Sequence, residues 1–260
     1  LKFTVLSLFP DLIESVVSHG LIGQAREKGG LQIDTVNPRQ YTKDAHHTVD
    51  DRAFGGGDGM VMKVEPLAMA VTDLRAAGAG RVVVLTPQGR TWNQGLAREW
   101  ARVGGHTVLI CGRYAGIDHR FTMKYADEEI SLGDFILNGG EIAACAVIES
   151  VARLLPQVLG NEISAVKDSF SDGLLECPQF TRPRDVAGMP VPSPLLSGHH
   201  EKIREFESAV GLLRTMLLRP DLISAPPQDL ERKVKLVSSL PDAEIHSLGF
   251  SRGDLEGLLA

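Results

Sequence analysis

Cysteine is scarce and scattered in this chain. Cys111, Cys145 and Cys177 are all there are. They offer neither a C-x-x-C pair nor a disulfide framework, which points to a reducing cytoplasmic setting. No apolar run is long enough to span a bilayer, so no membrane partner is expected. The apolar start, Leu1 to Leu8, stops at Phe9-Pro10-Asp11 and is short for a signal segment. Leu at position 1 reads as an alternative start codon translated literally or as a trimmed end. Excess positive charge is lacking too, with 27 Lys and Arg against 33 Asp and Glu, a net of -6. That argues against indiscriminate nucleic-acid binding and leaves room for a local basic patch.

The common nucleotide and hydrolase fingerprints are also missing. There is no G-x-x-x-x-G-K-[ST] and no G-x-S-x-G. Gly55-Gly-Gly-Asp-Gly-Met60 has Met60 where a dinucleotide motif needs its third glycine. Asp168-Ser-Phe-Ser-Asp-Gly173 imitates a calcium loop but fails at Phe170 and at Gln179. The pairs His46-His47 and His199-His200 have no acid or cysteine at zinc-ligand spacing, so donors to phosphate or backbone are expected there and no metal site.

What is present is a set of glycine-bearing loops after short apolar runs. Arg81–Leu85 and Thr107–Cys111 read as buried parallel strands. They feed Leu85-Thr-Pro-Gln-Gly89 and Cys111-Gly-Arg-Tyr-Ala-Gly-Ile-Asp118, and a third loop runs from Ser131 to Glu141. Ligands of open α/β sheets sit beyond the carboxyl ends of strands, where such loops converge. Glycine there lets the backbone approach a small molecule. Strands at Lys2–Leu8 and Leu31–Val36, and helices at Asp11–Lys28, Pro66–Ala77, Asn93–Arg102 and Gly140–Leu155, complete a βαβ rhythm. Asn161–Gly173 is polar and aperiodic and reads as a mobile linker. Cys177–Gly198 holds five prolines, too many for regular structure. His199–Leu218 returns to helical periodicity and opens a second, mostly helical domain.

Individual residues leave alternatives open. Arg153, in an apolar helix, either pairs with Glu149 or is a guanidinium held dry to meet an anion. Asp168 either caps a short helix beginning at Ser169 or is a carboxylate that a mobile linker presents to a site. Between Thr181 and Pro220, six Lys or Arg (182, 184, 202, 204, 214, 219) face four Asp or Glu (185, 201, 205, 207). That excess suits a phosphate-facing surface or a solvated helix face equally.

Several motifs together resemble one family. Gly112-Arg-Tyr-Ala-Gly-Ile-Asp118, Ser131-Leu-Gly-Asp134 with Gly139-Gly-Glu141, Asp168-Ser-Phe170 and Cys177-Pro-Gln-Phe-Thr-Arg-Pro183 are similar to the bacterial tRNA (guanine-N1)-methyltransferases of the TrmD type. Val49-Asp-Asp-Arg52, Gly55-Gly-Gly57 and Ser197-Gly-His-His200 fit as well, and the matches run in order from Leu8 to about Pro220. The resemblance implies a SPOUT-type α/β domain over residues 1–160, a parallel sheet with a deep trefoil knot. A linker over 161–173 and a smaller helical tRNA-binding domain over 174–260 would follow. It implies a homodimer whose active site is shared between subunits. S-adenosyl-L-methionine would be the methyl donor, with Mg²⁺ as a further cofactor, and the target would be N1 of the guanine 3′ to the anticodon (position 37) of tRNA.

Carried over by motif, the donor pocket comprises Leu85, Pro87, Gly112, Arg113, Tyr114, Gly116, Ile130, Leu132, Gly133, Asp134, Phe135, Ile136, Leu137, Gly139 and Gly140. The same resemblance makes Asp168 the general base that takes the N1 proton and Arg153 the donor that meets charge growing on O6. RNA contacts are expected at Lys43, His46, Arg52, Gly55, Gly57, Gly59, Arg182, His199 and Lys202. Two positions depart from the family pattern: Ala115 stands where Glu is usual, and Asp58 where Pro or Ala is usual.

Overall fold

The computed structural model describes residues 1–56, 59–156, 158, 168–225 and 227–259. The chain divides into two compact units, Leu1–Glu162 and Ile163–Ala260.

The first unit begins with β1 (Lys2–Leu6), α1 (Pro10–Val17), α2 (Gly20–Glu27) and β2 (Gln32–Val36). A small hairpin follows, β3 (Asp50–Arg52) and β4 (Met60–Met62), then α3 (Val64–Ala76) and β5 (Arg81–Thr91). After α4 (Gln94–Val103) come β6 (His106–Cys111), α5 (His119–Tyr125), β7 (Glu128–Ser131) and α6 (Glu141–Ala152). Five strands form one parallel sheet in the order β2-β1-β6-β5-β7. The parallel α/β architecture expected from the rhythm of the sequence is the one the chain adopts.

Successive residues of each central strand enter opposite cores. Phe3, Val5, Val83, Leu85, Leu109 and Cys111 pack with residues of α1, α2, α4 and α6. Leu6, Val82, Val84, Val108 and Ile110 pack with residues of α3 and α5 on the other face. Burial on both faces is what an uninterrupted apolar run such as Val82-Val83-Val84 encodes.

Several local expectations are corrected. The helix expected over Asp11–Lys28 is two helices. Ser18 Oγ donates to the carbonyl of Glu14 at 2.7 Å, His19 is extended, and a 2.8 Å ion pair between Arg26 and Glu14 ties the halves together. Strand β5 does not end at Leu85 but runs on to Thr91. Asn93 stands just before α4 and accepts from Leu96 N at 3.0 Å, the N-cap its residue type favours.

In the second unit, a hairpin interrupts the proline-rich stretch that was expected to lack regular structure: β8 (Asp185–Val186) and β9 (Met189–Pro190). Ala187 and Gly188 at its tip have φ of 54° and 82°, the two left-handed residues that a tight two-residue turn requires. Then come α7 (His200–Leu218), α8 (Leu230–Ser238), α9 (Asp242–Ser247) and α10 (Arg252–Gly257). Phe206, Val210, Leu213, Val234, Val237, Leu248 and Leu255 form their common core. Residues 161–167 of the expected linker lie outside the described residues. No helix follows Asp168: Ser171 N closes a turn on the Asp168 carbonyl at 3.0 Å, and Phe170 at φ 69° cannot continue as a helix. Leu175 N is held by Thr215 Oγ1 at 2.8 Å, which anchors this segment on α7. Among the described residues no helix is long and apolar enough to cross a membrane.

Candidate active site

A cavity of about 690 Å³ opens at the carboxyl ends of β5, β6 and β7. Its first wall is an excursion inside β5. Leu85 pairs with Ile130, residues 86–89 loop away, and Arg90 returns to pair with the same Ile130. Pro87 has no N–H to give a ladder, so the strand leaves the sheet there. The second wall is the loop from Gly112 to Ile117, and the third runs from Leu132 to Gly140.

The second and third loops cross in close contact. Arg113 bridges to Gly139, and Gly140 N donates to the Gly112 carbonyl at 3.0 Å. A Cβ on Gly140 would fall 2.7 Å from Cys111 Cα, and one on Gly139 would collide with the side chains of Arg113 and Glu141. These two glycines let one loop lie on the other. Loop crossing is a second demand on these glycines beside the close approach to a ligand expected of them, and both line the cavity.

Under the crossing lies a charged pair that sequence reading missed. Glu141 is 1% exposed, and its Oε2 is 2.9 Å from Arg113 Nη2. Ser7 Oγ donates to Glu141 Oε1 at 2.7 Å, and the Arg113 guanidinium stands 4.3 Å over the Phe9 ring. Arg113 thus borders the cavity with its charge already matched. Among the described lining residues there is no other Arg and no Lys. The rest of the described wall includes the apolar Leu132, Phe135, Ile136 and Leu137, the polar Tyr114, His119 and Asn138, and one acid, Glu129. A lining with no Arg or Lys beyond the paired Arg113 suits an uncharged or cationic ligand better than a phosphorylated one. Nucleophilic thiol chemistry is disfavoured: burial, then the nearby Glu141, raises Cys111 well above the ordinary thiol range and Cys145 to about 11.

The β3–β4 hairpin is fastened to the second loop. Ala115 N donates to the Met60 carbonyl at 2.8 Å, Met62 N to Gly116 O at 2.9 Å, and Asp118 N to Met62 O at 3.0 Å.

A sequence model described as tRNA (Guanine-1)-methyltransferase TrmD matches residues 1–225. Curated proteins named tRNA (guanine-N(1)-)-methyltransferase are similar over most of their length. The one from Marinomonas sp. (strain MWYL1) is 43% identical over 245 residues, 94% of this chain and 98% of that protein. The one from Aliivibrio salmonicida (strain LFI1238) is 50% identical over 221 residues, 84% and 88% of the two chains. For Hahella chejuensis (strain KCTC 2396) the figures are 50% over 223 residues, 85% and 86%. The chain belongs to the TrmD family. It is therefore an enzyme, a methyltransferase.

Within this TrmD-family chain, every residue carried over for the donor pocket lines the cavity except Asp134. The tight turn closed by Phe135 N on Gly133 O turns residue 134 out to solvent. Arg153 does not line the cavity either. It caps the C-terminus of α6, whose first residues form the cavity wall, and lies roughly 18 Å along that helix from Gly140. Its backbone N–H goes to the Glu149 carbonyl at 3.3 Å, and its side chain is half-buried. Asp168 belongs to the second unit. Lys43, His46, Arg52, Gly55 and Gly59 are exposed in the first unit, and Arg182, His199 and Lys202 in the second. Gly57 and Asp58 lie outside the described residues.

No group of three or more His, Cys, Asp or Glu is placed to hold a metal among the described residues. Sequence reading also missed Glu129 and Ser131 of the lining, because Glu128-Glu-Ile-Ser131 is too short and polar to signal the buried strand it forms.

Proposed function

We propose that this enzyme transfers the methyl group of S-adenosyl-L-methionine to N1 of the guanine 3′ to the anticodon (position 37) of tRNA. The observation that carries this reading is the cavity beyond β5–β7, crossed by Gly139 and Gly140, whose described lining holds no Lys and no Arg but the paired Arg113. Family membership supports the reaction class, and the relatives' names supply the acceptor. The loops at 85–88, 112–117 and 130–140 would hold the donor, in a deep trefoil knot as the family resemblance implies. When bound, the donor supplies a methyl group already activated on a sulfonium. No covalent enzyme intermediate is then required.

The residues of this chain act on the acceptor. Guanine N1 carries a proton and is a poor nucleophile until it leaves. The Asp168 carboxylate takes that proton, and the Arg153 guanidinium meets the negative charge that accumulates on O6. The guanine must leave its stack to be reached.

The reach of α6 supports a homodimer with shared sites. Arg153 stands a helix length from the cavity of its own chain, so it serves the cavity of a second copy, as does Asp168. The apolar side chains of Phe9, Leu12 and Val16 beside α1 and Ile142 on α6 are 51%, 37%, 40% and 51% exposed, a strip suited to burial against that copy. The helical second unit, with Arg182, His199 and Lys202 exposed, would bind the tRNA, in the cytoplasm where tRNA is modified.

The test is transfer of labelled methyl to a tRNA transcript with guanine 3′ to the anticodon. Label on N1 of that base is the expected result, and replacing the guanine with adenine should abolish it. Binding of tRNA without transfer would make the chain a non-catalytic RNA-binding protein, with Ala115 the first residue to suspect. Transfer to a small molecule without RNA would reassign the acceptor.

A further inference from the structure

Phe54 is 98% exposed, the most exposed large apolar side chain of the described residues. Single exposed apolar residues are ordinary, but the position of this one is not. It stands two residues beyond Arg52, which pairs with Met60 across the β3–β4 hairpin. Met60 in turn accepts from Ala115 N on the cavity's second loop. The ring therefore projects from a hairpin anchored to the rim of the donor cavity. Its neighbours Gly55 and Gly56 have no side chains to cover it, and both are exposed. Ala53 before it is half-buried. Arg52, two residues before it on β3, is exposed as well. The acids of the segment are partly occupied, Asp44 by Thr48 at 2.8 Å and Asp51 by Arg52 N at 2.8 Å.

A fully exposed ring close in sequence to an exposed Arg is the arrangement that receives a planar nucleobase. We infer that Phe54 is a stacking platform for an unstacked base flanking the target guanine, holding the RNA loop open at the cavity mouth. This rests on the proposed tRNA methyl transfer and adds to it a binding residue that sequence reading did not select. Stacking acts on RNA affinity and leaves the donor pocket alone.

The experiment compares wild type with Phe54→Ala, Phe54→Tyr and Phe54→Trp, using a tRNA transcript with guanine 3′ to the anticodon. Phe54→Ala should raise the KM for tRNA about tenfold, the usual loss for one base stacked on an aromatic. S-adenosylmethionine affinity by calorimetry and the melting temperature should stay at wild-type values. Phe54→Tyr should restore the KM, and the new indole of Phe54→Trp should be quenched on adding tRNA. An abasic substitution at one nucleotide flanking the guanine should weaken wild type as much as Phe54→Ala does, and weaken that variant no further. An unchanged KM in Phe54→Ala overturns the inference while leaving the methyl-transfer reading intact. Loss of affinity accompanied by dissociation in sedimentation overturns it in favour of a contact between two copies of the chain. A wild-type protein that neither binds nor methylates the transcript overturns both.

Discussion

Arg113 Nη2 lies 2.9 Å from Glu141 Oε2, and this pair joins the two loops that cross beneath the cavity. Glu141 begins α6 and Arg113 sits on the loop after β6, so the pair ties a helix start to a strand end. Acidic charge in the first turn also suits the helix dipole. Removing one partner of such a buried pair leaves the other unmatched, which usually costs about 3–5 kcal/mol. Glu141→Ala should therefore melt well below wild type and lose donor affinity. Arg113→Ala with Glu141→Ala should cost much less than the two single losses added. Additive losses in the thermal-unfolding cycle would show that the pair is not the coupling element.

The crossing itself is tested at Gly140. A methyl there meets the Cys111 backbone at 2.7 Å, and backbone cannot rotate away as a side chain could. Gly140→Ala should lose about 1–3 kcal/mol of stability from overpacking. It should also abolish measurable S-adenosylmethionine binding by calorimetry. Gly257→Ala, where nothing lies within 4 Å of the added carbon, is the control and should bind normally.

The shared site makes a prediction about mixed dimers. Asp168→Ala should abolish transfer with donor affinity within a few-fold. Arg153→Ala should lower kcat by about 10²–10³ with little change in donor binding. Since both residues are proposed to serve the partner's cavity, mixing Asp168→Ala with the cavity variant Gly140→Ala should restore activity in one of the two sites of each mixed dimer. Mixing Asp168→Ala with Arg153→Ala should restore none. Recovery in that second mixture would place the two residues on different subunits.

Asp118 offers a test against pH. Its hydrogen bond from Arg120 holds the carboxyl down to about 2, against an ordinary value of about 3.9. A depressed folded value means the stabilisation is complete above the unfolded value and is lost as pH falls from there through the folded one. The ion pair is largely solvent-exposed on the Arg side, so the effect should stay under about 1 kcal/mol. Asp118→Asn keeps an N-cap residue for α5 and removes the charge. The melting temperatures of wild type and variant should differ at pH 6 and converge near pH 2. A constant gap across that range would rule the carboxylate out as its source.

Much of the scaffold could be read from single segments. Val82 to Leu85 and Thr107 to Cys111 are short runs that only a strand buried on both faces explains, and they became the central strands. The helix expected over Asn93–Arg102 is α4, with Asn93 as its cap and not its first turn. Interruptions were harder to see: Ser18 ends a helix by bonding back to Glu14, and Pro87 leads β5 out of the sheet only because Arg90 can rejoin Ile130. Strand β7 was hidden because its one apolar residue, Ile130, stands between two acids and a serine. In the pocket, shared motifs pointed to loops that line the cavity, while the turn at Gly133–Phe135 sent Asp134 outward.

The sequence by itself determined the alternation of strands and helices, the positions of the cavity loops and, through long shared motifs, the family. These are properties of local periodicity and residue identity, which the chain carries in order. Tertiary structure alone decided that Gly139 and Gly140 serve loop crossing, that Glu141 neutralises Arg113, and that Arg153 stands a helix length from its own cavity. Each of these depends on distances between segments remote in sequence, and such distances exist only once the sheet has brought the segments together.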